Sequence, residues 1–259
     1  MHKLNDPSAV RLQYANADKL NTRISIHDRY SVNKTGFGNW IFSHYRFPAG
    51  SRVLELGCGT GSMWKAQDTL MDACSELVLS DLSEGMMTAA KENIGSRSNV
   101  SFRVIDIQDI PYEEGAFDAV IANMMLYHVP DLEKGLKEVR RVLKEGGNFY
   151  CATYGEHGIM EYLSVLLSDD GLKEKVNRSF TLQNGQRILG EFFSGVEKLE
   201  YPDALEVTNM DDMADYICSL SVMADQNRLQ RQEIKELLIK NAVNGVLHVP
   251  KEYGMFIAL

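Results

Sequence analysis

The sequence has little of several features that mark other classes of protein. Only four of its 259 residues are cysteines, and they show no Cys-x-x-Cys spacing, which argues against a disulfide scaffold or a zinc site. The histidines lack metal-ligand spacing as well. No apolar stretch is long enough to span a membrane, and no N-terminal segment resembles a signal peptide. We therefore expect reduced thiols, no metal, no membrane partner and a cytoplasmic location.

Basic residues are also in the minority. The chain has 27 Lys and Arg against 36 Asp and Glu, which gives a net charge of −9 at pH 7. Affinity for nucleic acid depends on clustered Lys and Arg, and the sequence has no basic run. Its hydrophobic content of 44% is that of an ordinary globular protein. With no internal repeat or low-complexity tract, we expect one globular domain and no nucleic-acid partner.

The strongest positive signal is a glycine loop that follows a short apolar run. Glu55 lies within that run, and Gly57, Gly59 and Gly61 come directly after it. Glycines between a strand and a helix allow backbone conformations that side chains forbid, and they let a ligand lie on the main chain. A dinucleotide site would place its third glycine one residue later. The tighter spacing and the nearby carboxylate favour a cationic ligand over a pyrophosphate and count against a nicotinamide enzyme.

Further apolar runs end in polar side chains. Strands are predicted at Arg52–Leu56, Glu76–Asp81, Val100–Ile105, Phe117–Ala122 and 254–258, and a further long strand at 196–208 is expected to be interrupted by Pro202. A helix is predicted at Ser62–Met71, and another at Leu132–Leu143 with a glycine C-cap at Gly146 and Gly147. Asp81 follows the glycine loop by roughly 20 residues, which is the distance that a crossover helix and a return strand need. Ligands of an open α/β sheet bind outside the carboxyl ends of its strands. Asp81, Asp106 and Asn123 are therefore expected at one edge of a parallel sheet.

Together these motifs resemble the class I S-adenosylmethionine-dependent methyltransferases, whose first motif is an acidic residue followed by Gly-x-Gly-x-Gly. The resemblance implies a Rossmann-like α/β fold with seven strands, mostly parallel, and helices on both faces. The last strand would be antiparallel and inserted beside its neighbours. The cofactor would be S-adenosylmethionine, with S-adenosylhomocysteine as product. The implied cofactor-binding residues are Tyr14, Glu55, Gly57, Cys58, Gly59, Gly61, Asp81, Leu82, Met86, Asp106, Ile107, Ala122 and Asn123.

The resemblance also implies individual roles. Asp81 would accept both ribose hydroxyls, and Leu82 and Met86 would form an apolar wall for the adenosine. Asp106 would accept from the adenine amino group, with Asp109 as an alternative because the Asp-x-x-Asp spacing leaves the register open. N-terminal helices would fold over the pocket as a lid.

A general base is needed only if the methyl acceptor arrives protonated. His128 is the favoured residue because it follows the cofactor-binding end of the fourth strand, and because an unperturbed histidine titrates near neutrality. A histidine that merely holds the loop is an equal alternative. Tyr30 and Tyr127 are weaker options for the base. Tyr14, His27 and Tyr30 are candidates to face the ligand from the predicted lid.

We predict a single methyltransferase domain over residues 1–259, with a helical cap built from N-terminal and inserted segments. Its parts are an N-terminal lid at 1–48, a cofactor-binding core at 49–156, cap insertions at 157–180 and 210–246, and the end of the sheet at 181–209 and 247–259.

A small molecule is the expected methyl acceptor. The segment after the fourth strand reads His-x-x-Asp at His128–Asp131, which is common in small-molecule methyltransferases, and departs from the Asn-Pro-Pro-Tyr signature of amino-group methylation on bases. Two alternatives stay open. The bound sulfonium could serve cyclisation or aminopropyl transfer, or the chain could bind the cofactor without turnover. The sequence does not predict the accepting atom or the oligomeric state.

Overall fold

The structure is a computed structural model that describes residues 18–167, 177–220 and 229–259. Strands and helices alternate through the middle of the chain, as an α/β fold requires. In chain order the elements are α1 (Asp18–Tyr30), α2 (Phe37–His44), β1 (Arg52–Leu56), a 3₁₀ helix (Ser62–Ala66), α3 (Asp68–Ala73), β2 (Glu76–Asp81), α4 (Glu84–Ile94), β3 (Val100–Val104), β4 (Phe117–Ile121), a second 3₁₀ helix (Leu126–His128), α5 (Leu132–Val142), β5 (Leu143–Tyr154), α6 (Ile159–Leu167), α7 (Gly185–Leu189), β6 (Val196–Val207), α8 (Met210–Ser219), α9 (Arg231–Asn241) and β7 (Leu247–Ala258).

The strands form one seven-stranded sheet in the order β3-β2-β1-β4-β5-β7-β6. Neighbouring strands among β1 to β5 are parallel, whereas β7 runs antiparallel to both β5 and β6. The central strands β1, β2 and β4 are almost continuously buried, since a parallel sheet is covered on both faces. This arrangement confirms the predicted Rossmann-like sheet with an inserted antiparallel strand.

Helices cover both faces of the sheet. On one face α5 buries Leu136 and Val139 in a cluster with residues of β1, β4 and β5. On the other face Ile41 of α2 and Trp64 of the first 3₁₀ helix pack against Val53 and neighbouring strand residues. The amphipathic pattern of α5 explains its position, because its apolar side chains recur at helical spacing.

The two antiparallel strands continue past the parallel part of the sheet. Tyr154, at the carboxyl end of β5, pairs with Tyr253 of β7. Beyond that pair, Leu247–Glu252 has Pro202–Val207 of β6 as its one partner among the described strands, and we call these two segments the ribbon. The ribbon therefore projects from the edge at which the parallel strands end.

A helical cap packs on the ribbon. It consists of α1, α6, α8 and α9, which contact one another and the two antiparallel strands. Their shared core contains buried apolar residues of every one of these elements: Ile26, Leu163, Leu205, Met213, Ile217, Leu238 and Val249. The cap thus lies on the ribbon, beside the carboxyl edge of the sheet.

Several local predictions are wrong in detail. The helix expected at Ser62–Met71 is divided into a 3₁₀ turn and the short α3. The predicted glycine C-cap after α5 is absent, because Leu143 ends that helix in extended conformation and Gly146 lies inside β5 with φ of 74°. β7 begins at Leu247 rather than Gly254. Pro202 does not interrupt β6, since that strand lies at the edge of the sheet.

Candidate active site

The glycine loop leaves β1 at the carboxyl edge of the sheet. Gly57, Gly59 and Gly61 all have positive φ, at 71°, 58° and 68°, a region that side chains rarely adopt. At Gly57 the space is closed as well, because a Cβ there would lie 2.8 Å from Cγ of Met125. Glycine is therefore required at Gly57 by both conformation and packing.

Hydrogen bonds within the protein fix the shape of this loop. The N–H of Cys58 donates to the carbonyl of Ser80 at 2.8 Å, and the N–H of Gly61 donates to the carbonyl of Cys58 at 3.0 Å. Burial raises the pKa of the Cys58 thiol well above its usual value, so the sulfur stays protonated. These hydrogen bonds fix the backbone of the loop. Because its glycines carry no side chains, a ligand can approach that backbone directly.

Asp81 joins the end of β2 to the glycine loop. One carboxylate oxygen accepts from the N–H of Gly59 at 3.1 Å, and the other accepts from the N–H of Ser83 at 2.9 Å. Burial raises the pKa of Asp81, while these backbone donors lower it. The carboxylate is held in a fixed orientation with lone pairs to spare, since each oxygen can accept more than one hydrogen bond.

Glu55 belongs to a buried polar network beneath the loop. Its side chain accepts from the indole N–H of Trp64 and lies 3.5 Å from Nδ2 of Asn123. Asn123 Nδ2 also donates to the hydroxyl of Tyr45 at 2.8 Å. Burial raises the pKa of Glu55 to about 7, although the donors from Trp64 and Asn123 oppose that shift. Neither Trp64 nor Tyr45 is identified by a sequence motif.

Asn123 carries an unsatisfied acceptor. Its Oδ1 is buried and has no hydrogen-bond partner among the described residues. Buried polar atoms in native proteins are rarely left in this state. Next to the Glu55 carboxylate, this oxygen gives the site a second acceptor for a ligand that donates hydrogen bonds.

The backbone after β4 is strained. Met124 has φ of 54° without being a glycine, and its N–H donates to the carbonyl of Ala152 at 2.8 Å. Such conformations cluster at functional sites, where the surrounding structure holds them. Ala122, just before, is fully buried, and Met125, just after, contacts the glycine loop. The end of β4 is therefore fixed against the loop.

The remaining predicted cofactor residues lie along the same edge. Leu82 is partly exposed after β2, whereas Met86 is almost fully buried within α4. Asp106 is partly buried just past β3 and accepts from the N–H of Gln108 at 2.9 Å. Ile107 is buried against α5, and the alternative carboxylate Asp109 is exposed. Tyr14 lies outside the described residues.

The two predicted catalytic residues occupy different environments. His128 ends the second 3₁₀ helix and is partly exposed, with its ring centroid 4.5 Å from that of Tyr127. Tyr30 lies in the cap, where its hydroxyl donates to Asp212 of α8 at 2.5 Å. Burial, together with Asp212, raises the pKa of Tyr30. The structure thus places His128 near the carboxyl end of β4 and commits the Tyr30 hydroxyl to a cap contact.

The chain matches known proteins over its central part. Residues 54–151 match the model of a family described as "Methyltransferase domain". A demethylmenaquinone methyltransferase of Staphylococcus aureus (strain JH9) is 36% identical over 134 residues, which cover 52% of this chain and 54% of that protein. The chain thus spans about half the length of the curated relatives that it matches. The family match confirms the resemblance that the glycine-loop motif predicts.

Solved structures share the fold at low sequence identity. One is phosphoethanolamine N-methyltransferase 2 of Haemonchus contortus, solved with S-adenosylhomocysteine and phosphomonomethylethanolamine. It has a TM-score of 0.57 and 18% identity, covering 96% of this chain and 60% of that one. Another is the cyclase SpnF, with a TM-score of 0.58 and 17% identity, covering 97% and 96% of the two chains. These likenesses establish the fold and leave the reaction open.

Proposed function

We propose that this chain, whose residues 54–151 form a methyltransferase domain of the class I S-adenosylmethionine-dependent type, transfers a methyl group from that cofactor to a small-molecule acceptor. The observation that carries the proposal is the hydrogen bond from the Gly59 N–H to Asp81. It brings the glycine loop and the acidic end of β2 into one site, as a cofactor with both a sulfonium and a ribose requires.

The residues present fit that cofactor. Asp81 has lone pairs left for ribose hydroxyls, because its carboxylate accepts from the single backbone donors Gly59, Leu82 and Ser83, and each oxygen can accept more than one hydrogen bond. Glu55 and the unpartnered Oδ1 of Asn123 provide acceptors for the ammonium group at the methionine end. Asp106 provides a partly buried carboxylate for the adenine amino group. The positive φ at Gly57 and Gly59 lets a ligand approach the main chain.

When bound, the cofactor supplies a sulfonium-activated methyl group for in-line displacement. The protein's part is to hold the acceptor close and collinear, since orientation alone can supply a large share of the rate. The cap packs on the ribbon beside the carboxyl edge. We propose that it excludes water from the bound reactants, which would strengthen electrostatic interactions inside the site.

For an acceptor that arrives protonated, we propose His128 as the general base. Its partial exposure near the end of β4 supports this role, because a base must reach the acceptor. Tyr30 is a weaker proposal, since its hydroxyl is already bonded to Asp212. Methylation of a small molecule is supported by the Staphylococcus aureus relative, whose name describes methylation of demethylmenaquinone.

We also propose a cytoplasmic location, supported by four free cysteine thiols. No described helix is both long and apolar enough to cross a membrane.

The cofactor site is tested by calorimetric titration with S-adenosylmethionine, S-adenosylhomocysteine and NAD. Wild-type protein is expected to bind both S-adenosyl ligands. Asp81→Ala should lower the affinity for both by about tenfold or more, because charged hydrogen bonds are lost. Asp72→Ala is the matched control, since Asp72 is an exposed carboxylate in α3. Binding of NAD alone would contradict the proposal.

Turnover needs a separate experiment. Transfer of a labelled methyl group from S-adenosylmethionine to a panel of small acceptors, with formation of S-adenosylhomocysteine, would support methyl transfer. Conversion of an acceptor without loss of the methyl group would instead favour cyclisation. Binding without any turnover would favour a regulatory protein.

A further inference from the structure

Tyr45 lies outside the segment that matches the methyltransferase family, since that match begins at residue 54. It directly follows α2, where its N–H donates to the carbonyl of Phe42 at 3.2 Å. Its backbone is extended, with φ of −68° and ψ of 133°, so the helix ends there. Whatever Tyr45 does in the site is therefore contributed by the segment that precedes β1.

The ring of Tyr45 is held in an aromatic cluster. Its centroid is 4.9 Å from that of Tyr150 in β5, 5.2 Å from that of Phe42 and 5.9 Å from that of Phe47. Tyr45 is 7% exposed. Tyr150 also fixes the adjoining backbone, because its hydroxyl accepts from the N–H of Arg46 at 2.8 Å. A ring packed on several sides keeps one orientation, so the position of the Tyr45 hydroxyl is fixed.

That hydroxyl meets Asn123 just past the end of β4. The amide Nδ2 of Asn123 donates to the Tyr45 hydroxyl at 2.8 Å, whereas its contact with Oε1 of Glu55 is 3.5 Å long. The shorter contact is the stronger hydrogen bond, since N–H···O bonds in proteins have donor–acceptor distances of about 2.7–3.2 Å. Among the described residues, Tyr45 is thus the main anchor of the Asn123 amide.

This anchor decides which atom of the amide is left for a ligand. Nδ2 faces the two protein oxygens, and Oδ1 on the other side of the amide is buried with no hydrogen-bond partner among the described residues. An amide oxygen can only accept. Held in this way, Asn123 presents an acceptor beside the Glu55 carboxylate, and both groups suit the same ligand group, an ammonium.

Tyr45 itself stays neutral. Burial raises the pKa of its hydroxyl well above the usual value, and the nearby Glu55 raises it further. Tyr45 therefore adds no charge to the site and acts through the hydrogen bond to Asn123.

Resting on the proposed function, we propose that Tyr45 is a positioning residue for the methionine end of the cofactor. It holds the amide of Asn123 so that Oδ1 accepts a hydrogen bond from the cofactor's ammonium group. Tyr45 does not contact the cofactor in this role. Its effect is therefore restricted to ligands that carry the amino group.

Two probes separate the two ends of the cofactor. S-adenosylhomocysteine carries the amino acid group, whereas 5′-methylthioadenosine has the same nucleoside and a thioether without it. Both are titrated calorimetrically into the full chain and into Tyr45→Phe, which removes one oxygen atom and keeps the ring. Tyr45→Phe should lower the affinity for S-adenosylhomocysteine about fivefold, since one hydrogen bond is lost, and leave that for 5′-methylthioadenosine within about twofold.

Tyr150→Phe is the matched control, since this tyrosine belongs to the same aromatic cluster but bonds to Arg46 rather than to Asn123. It should leave the affinity for each probe within about twofold. Equal losses for the two probes in Tyr45→Phe would indicate a general structural role and overturn the assignment. An unchanged affinity of Tyr45→Phe for S-adenosylhomocysteine would also overturn it.

A double-mutant cycle tests whether Tyr45 acts through Asn123. Asn123→Ala should itself lower the affinity for S-adenosylhomocysteine, and adding Tyr45→Phe should then lower it by less than about twofold more, because the two residues share one interaction. A further fivefold loss in the double variant would overturn this inference and leave the proposed function intact. Failure of the wild-type protein to bind either probe would overturn the proposed function.

Discussion

Two regions at the carboxyl edge are built in different ways. The cofactor half contains the glycine loop, Glu55 and Asp81, where we propose that the cofactor binds, and the cap half contains the ribbon and the helices packed on it. In the cofactor half, contacts join residues that are near in sequence: Glu55 and Trp64 are nine positions apart, and Gly59 and Asp81 are 22 apart. In the cap half, Ser31 and Asp203 are 172 positions apart, and His27 and Tyr253 are 226 apart. The glycine loop and its Asp81 are therefore encoded by local motifs, whereas the cap half is encoded by tertiary contacts between distant segments. The Asn123 contacts with Glu55 and Tyr45, 68 and 78 positions apart, are the part of the first half that also depends on tertiary packing.

The halves also differ in how they treat charge. Glu55 is buried with neutral donors around it, and burial raises its pKa. Asp203 and Lys251 are buried as an ion pair, to which the Ser31 hydroxyl and the Asn33 N–H add hydrogen bonds. The cofactor half thus holds an uncompensated acid that a cationic ligand could neutralise. The cap half is already neutralised, so its charges serve to dock α1 on the ribbon.

The largest effect is expected from breaking that docking pair. Lys251→Met leaves Asp203 as a lone buried carboxylate and should lower the free energy of unfolding by about 3–5 kcal/mol. Urea denaturation measures it. Combining Lys251→Met with Asp203→Leu should restore most of the loss, because no unpaired charge remains.

Lys144→Met is the matched control, since Lys144 forms a more exposed pair with Asp118 and such pairs contribute about 1 kcal/mol or less. Equal losses in Lys144→Met and Lys251→Met would contradict the contrast between the two halves.

A smaller effect is expected from the buried acid of the cofactor half. The pKa of Glu55 rises from 4.5 to about 7 on folding, so the folded state favours the protonated form. Its contribution to stability is full below about pH 4.5 and is lost as the pH rises through about 7. The wild-type protein should lose on the order of 3 kcal/mol in free energy of unfolding, since each pKa unit corresponds to about 1.4 kcal/mol.

The free energy of unfolding of wild type should therefore fall between pH 5 and pH 8, whereas that of Glu55→Gln should not. The difference between the two proteins is measured by urea denaturation at both pH values. The exposed Glu145→Gln should follow the wild-type profile. Parallel profiles for wild type and Glu55→Gln would mean that Glu55 is ionised in the folded protein throughout this range.

The smallest effect separates packing from backbone strain in the glycine loop. Gly57 and Gly95 have similar positive φ, at 71° and 76°, but a Cβ meets Met125 at Gly57 and nothing within 4 Å at Gly95. Both alanine variants should lose about 1 kcal/mol to strain. Gly57→Ala should lose about 2 kcal/mol more in free energy of unfolding, because its Cβ overlaps Met125, and should also weaken the binding of S-adenosylhomocysteine. Equal thermal stability of the two variants would mean that Met125 moves aside freely.

The cofactor half could be predicted closely from sequence. The bounds of β1 and β2 agree with the predicted ones, because buried parallel strands read as short apolar runs. The position of Asp81 beside the loop follows from the length of a crossover connection. The network around Glu55 could not be predicted, since Tyr45 and Asn123 meet only through the packing of α2 against β4.

The cap half was harder to predict for a physical reason. β7 is longer than its apolar run because Lys251, a polar residue, occupies an inward position beside Asp203. The alternation of apolar residues is broken at Lys251, so the sequence pattern marks the start of this strand at Gly254 although β7 begins at Leu247. The contact of His27 with Tyr253 joins residues that are 226 positions apart. No local signal can report such a contact.

The pairing of Val207 with Leu247 has an evolutionary consequence. The segment 208–246, which carries α8 and α9, leaves and re-enters the sheet at opposed residues about 5 Å apart. It occupies the place of a hairpin loop, and insertions at such places are well tolerated. Descendants of this chain can therefore exchange this part of the cap as a module while the register of every strand is inherited unchanged. Under the proposed function, this part of the cap is where recognition of new acceptors would diversify without altering the glycine loop.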